Sequence, residues 1–142
     1  MKRSFLFFAF SILFVVLAFK KNTDVADGEG ISFSKMTLQE AKQKALENDQ
    51  LIFIDAYTTW CGPCKKMAAT SFKDAEVGEL FNEKFINLKI DCEEGEGIEF
   101  AKKYKIKAYP TLLIIDGEGK IVKSAIGSQS ASALINFANS VD

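Results

Sequence analysis

The chain has 142 residues, with 18 lysines and arginines against 19 aspartates and glutamates and a net charge of -1. That length favours one compact domain, and the near-neutral balance offers no basic field for phosphates, so nucleic acid is not expected as a partner. Three cysteines and no histidine are too few thiols for a stapled framework and too few ligands for four-coordinate zinc, so no metal site is expected either.

From the N-terminus, Lys2 and Arg3 precede an apolar run from Phe5 to Phe19 broken only by Ser11, the layout of an export signal. The run is shorter than the roughly 20 residues of a membrane span, and Val16-Leu17-Ala18 fits a cleavage site. Retention of residues 5–19 as an anchor is the alternative. Residues 1–19 are therefore read as signal peptide or N-terminal membrane anchor, 20–30 as a polar linker, and 31–142 as the folded domain. The expected location is periplasmic or otherwise extracytoplasmic, with membrane contact only through the N-terminal segment, and the expected state is a monomer.

Thr37 and Glu40 make a capping box followed by Leu38, Ala41, Ala45 and Leu46 at helical spacing, which predicts a helix ending near Asn48. Leu51 to Tyr57 is apolar on both alternating faces except at Asp55, as in a central strand covered on both sides. Helix-favouring residues from Gly62 through Ala69 place Cys61 at or just before a helix N-terminus, and Pro63 suits the first turn, where its missing N–H costs nothing. Asp74 caps a further helix with Val77, Leu80, Phe81 and Phe85 along one side.

Ile86 to Asp91 then reads as a strand, Glu93 to Gly97 as a loop, and Ile98, Ala101 and Tyr104 as a short helix. Thr111 to Ile115 is a strand, and Asp116-Gly117-Glu118-Gly119 turns it back into Lys120 to Ile126. Gly127 ends that strand, and Ser130 caps a last helix bearing Leu134, Phe137 and Ala138. The order predicts an α/β domain, a central mixed β-sheet with helices on both faces.

Cys61 and Cys64 form a C-x-x-C pair, whose two readings are half a zinc site or a redox pair, and the scarcity of other ligands favours redox. Thiolate, not thiol, attacks disulfides, and unpaired N–H groups at a helix N-terminus favour negative charge, so the thiol of Cys61 is expected to be acidified. Cys64, one turn later, is expected to be more buried and to resolve the mixed disulfide. A static disulfide bracing the helix is the structural alternative, though so short a loop adds little chain-entropy stabilisation. Asp55 is costly in an apolar strand unless something justifies it.

Trp60-Cys61-Gly62-Pro63-Cys64-Lys65 resembles the thioredoxins, and the likeness extends from about Ile31 to Val141. Within that family the chain looks most similar to exported thioredoxin-like domains, including the C-terminal domain of the transmembrane thiol reductases. The resemblance implies the thioredoxin fold and a thiol–disulfide oxidoreductase in which Asp55 takes the proton from Cys64. It implies that the lysine usually placed near this aspartate is replaced by Asn87. Tyr109-Pro110-Thr111 matches the family's cis-proline loop, which implies a cis Tyr109–Pro110 bond and a main chain at Tyr109 open to substrate. An ordinary trans proline opening a strand is the alternative.

Trp60, with Gly62 and Pro63, would form a platform for substrate, and Gly127 would border the groove, although Trp60 also suits packing and Gly127 a strand-ending turn. Tyr57 reads as a core residue, and Cys92 as a small packed hydrophobe rather than a regulatory thiol. Gly62-Pro63 resembles the reducing members, so the expected partners are protein disulfide substrates and a membrane thiol reductase as electron donor. No cofactor is expected beyond the Cys61–Cys64 disulfide. Thr111 to Asp116 with Gly119-Lys120 also resembles cytochrome-maturation reductases, whose central insertion is not evident. A reading from another class is a thioredoxin-fold binding module or holdase with incidental cysteines.

Overall fold

A computed structural model describes residues 30–141. The expected signal or anchor at residues 1–19 and all of the expected linker except Gly30 lie outside these residues. Among the described residues no helix is long and apolar enough to cross a membrane. The elements in chain order are α1 (Leu38–Asn48), β1 (Leu51–Tyr57), α2 (Gly62–Ala69), a 3-10 turn (Ser71–Lys73), α3 (Ala75–Lys84), β2 (Phe85–Asp91), α4 (Glu96–Lys103), β3 (Thr111–Ile115), β4 (Ile121–Ile126) and α5 (Ala131–Asn139).

The starts of α1, α3 and α5 are set by caps legible in the sequence. The Thr37 hydroxyl accepts the Glu40 N–H while the Glu40 carboxylate accepts the Thr37 N–H. Asp74 accepts from Glu76 and Val77, and Ser130 accepts from Ala133. The Asp116 carboxylate accepts the N–H groups of Glu118 and Lys120 and so closes the β3–β4 hairpin.

The sheet has the order β2-β1-β3-β4. β1 runs parallel to β2 and antiparallel to β3, and β3 runs antiparallel to β4. β1 is therefore paired on both edges, which suits its nearly unbroken apolar character. Successive side chains of a strand face opposite sides, and two cores result. Phe53 on one face packs with Phe72, Phe81, Phe85, Leu134 and Phe137, with the Phe53 and Phe81 rings 4.7 Å apart and edge-on. Ile52, Ile54 and Ala56 on the other face pack with Ala41 and Ala45 of α1 and Phe100 of α4.

Some expectations shift. Gly30 belongs to the domain rather than to a linker: it is buried with φ +69°, and an added Cβ on Gly78 would overlap its main chain. Phe85 opens β2 instead of closing a helix face, although it still enters the same core. Leu46 is 63% exposed and Ile98 43% exposed, whereas Phe100 is buried; Leu46 lies over the Gly117 turn rather than under the sheet. Because Phe53 meets the rings of Phe33, Phe72, Phe81 and Phe85, Phe53→Ala is expected to destabilise the domain by about 3–5 kcal/mol, read as a lowered urea midpoint with an unchanged slope.

Candidate active site

The end of β1 and the start of α2 build the site. Tyr57 ends the strand, residues 58–61 turn, and Cys61 is the N-cap of α2 with Pro63 in the first turn. The Cys61 Sγ accepts the Cys64 N–H at 3.2 Å. A helix N-terminus leaves its first N–H groups without intrahelical partners, and here one of them points at the sulfur. Cys61 and Cys64 are joined in a disulfide with their Cα atoms 5.3 Å apart.

The expectation that Cys64 lies deeper than Cys61 is not met: each retains 3% of its surface. The bond draws both sulfurs into the same first turn, and they differ in the direction from which they are approached. Cys61 sits between exposed neighbours, Trp60 and Gly62-Pro63, and an added Cβ on Gly62 would meet nothing within 4 Å. Cys64 lines a cleft on another side, with Tyr57, Lys65 and Lys89.

Asp55 is fully buried. Its Oδ2 lies 3.0 Å from the Lys89 ammonium as an ion pair, with neither carboxylate oxygen in hydrogen-bonding geometry. Burial pushes the Asp55 carboxyl above its ordinary range, and Lys89 only partly opposes that. The reading that Asn87 replaces the usual lysine is therefore wrong. In the parallel register Asn87 stands opposite Phe53 and Lys89 opposite Asp55. Asn87 instead donates to the Phe81 carbonyl and to Asn82. Lys89 also faces aromatic rings, its ammonium 4.7 Å from the centre of Tyr57, 5.4 Å from Phe33 and 5.6 Å from Phe72, so Tyr57 helps to hold this cation.

The Tyr109–Pro110 bond is cis. The Pro110 carbonyl accepts the Gly127 N–H at 2.8 Å, and the Thr111 hydroxyl donates to the Ala108 carbonyl at 2.7 Å. Among the described residues the N–H and C=O of Tyr109 make no hydrogen bond. Gly127 has φ +88°, a conformation glycine adopts freely, and open space where a Cβ would stand. Trp60 is 64% exposed, meets the Tyr109 ring edge-on at 6.0 Å, and donates its indole N–H to Glu93 at 2.9 Å. Cys92 is buried, and burial pushes its thiol up to about 11, in keeping with a packed hydrophobe.

Three residues of this region were not singled out from sequence. Lys89 needed the β1–β2 register. Glu93 needed the contact across the turn after β2. Ile126 is 70% exposed beside Gly127, and its apolar side chain at a strand end next to the expected groove was the one available signal.

The model of the thioredoxin family matches residues 32–140. The chain belongs to the thioredoxin family. The solution structure of a candidate disulphide-isomerase from Bacteroides thetaiotaomicron is 42% identical, covers 81% of this chain and 98% of that one, and superposes with a TM-score of 0.69. A thioredoxin of Echinococcus granulosus is 36% identical over 92 residues, 65% of this chain and 79% of its own. The oxidised C-terminal domain of DsbD from Neisseria meningitidis shares the fold at 23% identity and a TM-score of 0.62, covering 78% of this chain and 97% of that one. The chain spans only 17% to 26% of the length of the curated protein disulfide-isomerases it matches. This thioredoxin-family domain is a thiol–disulfide oxidoreductase acting through the Cys61–Cys64 pair.

An acid whose folded pKa is raised binds its proton more tightly in the folded state. The resulting stability is present below the unfolded value of about 3.9 and is lost as pH rises through the folded one. Asp55→Asn should therefore gain urea stability relative to the wild type as pH goes from about 4 to 8, measured as the difference between the two midpoints at each pH.

Proposed function

We propose that this protein is an exported protein-disulfide reductase. The observation that carries the reading is the Cys61 sulfur at the N-terminus of α2, within a surface formed by Trp60, Pro63, the cis-proline loop and Gly127. Reduced Cys61, as thiolate, attacks one sulfur of a substrate disulfide, and the other substrate sulfur leaves with the electron pair and takes up a proton. Cys64 then loses its proton, with the buried Asp55 carboxylate as acceptor, and attacks the Cys61 sulfur. The Cys61–Cys64 disulfide forms, the substrate is released as a dithiol, and two electrons have moved to it. The two sulfurs suffice as redox group.

The free main-chain groups of Tyr109 pair with an extended substrate segment as one strand adds to another. Trp60 and Ile126 supply the apolar contact, and Gly127 admits the substrate backbone. The reductase direction rests on Gly62-Pro63 between the cysteines. Export rests on the charged and apolar residues 2–19, and it makes a membrane thiol reductase the donor that regenerates the dithiol.

Insulin reduction tests the activity. Cys61→Ser is expected to abolish turnover, and Cys64→Ser to accumulate substrates disulfide-linked to Cys61, identified after non-reducing electrophoresis. Suppression of insulin aggregation without thiol turnover in the unaltered protein would mean a binding module instead.

A further inference from the structure

Helix α4 is closed by a residue whose side chain disfavours the conformation it holds. Lys105 follows the C-cap Tyr104 and has φ +54°. Its N–H donates to the Lys102 carbonyl, and the Ile106 N–H donates to the Ala101 carbonyl, the paired bonds that end a helix around a left-handed residue. Glycine takes this place most readily, because a Cβ crowds the following carbonyl oxygen there. Among the described residues the other non-glycine with positive φ is Asp49, whose short polar side chain can compensate locally. Lysine has no such compensation. A cation also gains from the C-terminal dipole of a helix, but Lys102 and Lys103 already occupy the last turn. The strain at Lys105 therefore points to a use for its ammonium beyond ending the helix.

Lys105 belongs to a run of exposed lysines that leads into the substrate surface. Lys103, Lys105 and Lys107 are all exposed, and no acidic residue lies between Lys102 and Tyr109. Among the described residues none of these three is in an ion pair, whereas Lys102 is paired with Glu99. Tyr109, with its main-chain groups open beside the cis proline, stands four positions after Lys105. Four residues of extended chain span at most about 14 Å, so a segment paired with Tyr109 reaches both Lys107 and Lys105. Trp60, by contrast, is bonded to Glu93, and Glu94 follows it. The surface thus has a positive part before Tyr109 and a negative part at the indole.

We propose that Lys105 and Lys107 are specificity-determining residues that recruit disulfide substrates carrying an acidic segment on one side of the attacked cysteine. The inference rests on the reading that Tyr109 pairs with an extended substrate segment, and it names the class of substrate for that surface. Carboxylates of the substrate lie along the lysines while its main chain adds to Tyr109 and its disulfide meets Cys61. The exchange chemistry is unchanged. Attraction between opposite charges raises the rate of encounter, and salt screens it. Acids on both sides of the cysteine gain less, because Glu93 repels one of them.

Reduced full-length protein is mixed with fluorogenic peptide disulfides that carry glutamates before the cysteine, glutamates after it, or glutamines on both sides, and single-turnover rate constants are measured. At about 0.01 M salt one glutamate peptide is expected to react about tenfold faster than the glutamine peptide. The advantage should vanish near 1 M salt, as the screening length falls from about 30 Å to about 3 Å. Lys105→Gln combined with Lys107→Gln should bring the favoured peptide down to the rate of the glutamine peptide in the same variant, and Lys105→Arg should keep the advantage. Lys105→Gly should raise the urea midpoint while losing part of the advantage. Two glutamate peptides that react alike, or an advantage that survives the double substitution, overturn the proposal, as does a Lys105→Gly protein no more stable than the wild type. Failure of the unaltered protein to reduce any of the peptides overturns the reductase reading itself.

Discussion

An ionised sulfur needs hydrogen-bond donors and positive potential close by, and the first turn of α2 supplies both to Cys61. The Cys64 N–H donates to the Cys61 sulfur, so the second cysteine contributes its main chain to the first as well as its own thiol. This geometry depends on β1 delivering the chain to one fixed point. The strand is held on both edges, by β2 and β3, and filled on both faces, so its C-terminal end has little freedom. The turn through Thr58 to Trp60 and the helix that follows inherit that position.

The cost of the site is concentrated at Asp55. A carboxylate fully buried in an apolar sheet is unfavourable unless charge or hydrogen bonds compensate, and here one ammonium does so incompletely. Lys89 is itself held by the faces of Tyr57, Phe33 and Phe72, so part of the phenylalanine core doubles as the seat of the cation. Stability given up at a reactive site and recovered in neighbouring packing is a common arrangement. The aromatic residues of this face thus both build the fold and hold the cation that pairs with Asp55.

The surface around the disulfide is assembled from segments far apart in sequence. The edge-on pair of Trp60 and Tyr109 joins the turn before α2 to the cis-proline loop, and the indole bond to Glu93 ties both to the turn after β2. The Gly127 N–H closes the other side on Pro110.

The local devices were all legible in the residues: the Thr37–Glu40 box, the Asp74 and Ser130 caps, the Asp116 turn, the alternation of the strands, and Cys61 at a helix start. Each is decided by contacts within a few positions of chain, so spacing alone reveals it. The partner of Asp55 was not legible, because a parallel register is set by how two strands and the α2–α3 connection pack together. A shift of two positions moves the opposing residue from Asn87 to Lys89 while every side chain keeps its face. The equal covering of the two cysteines and the Glu93 tether likewise depend on which surfaces meet in three dimensions, and only the folded chain decides that.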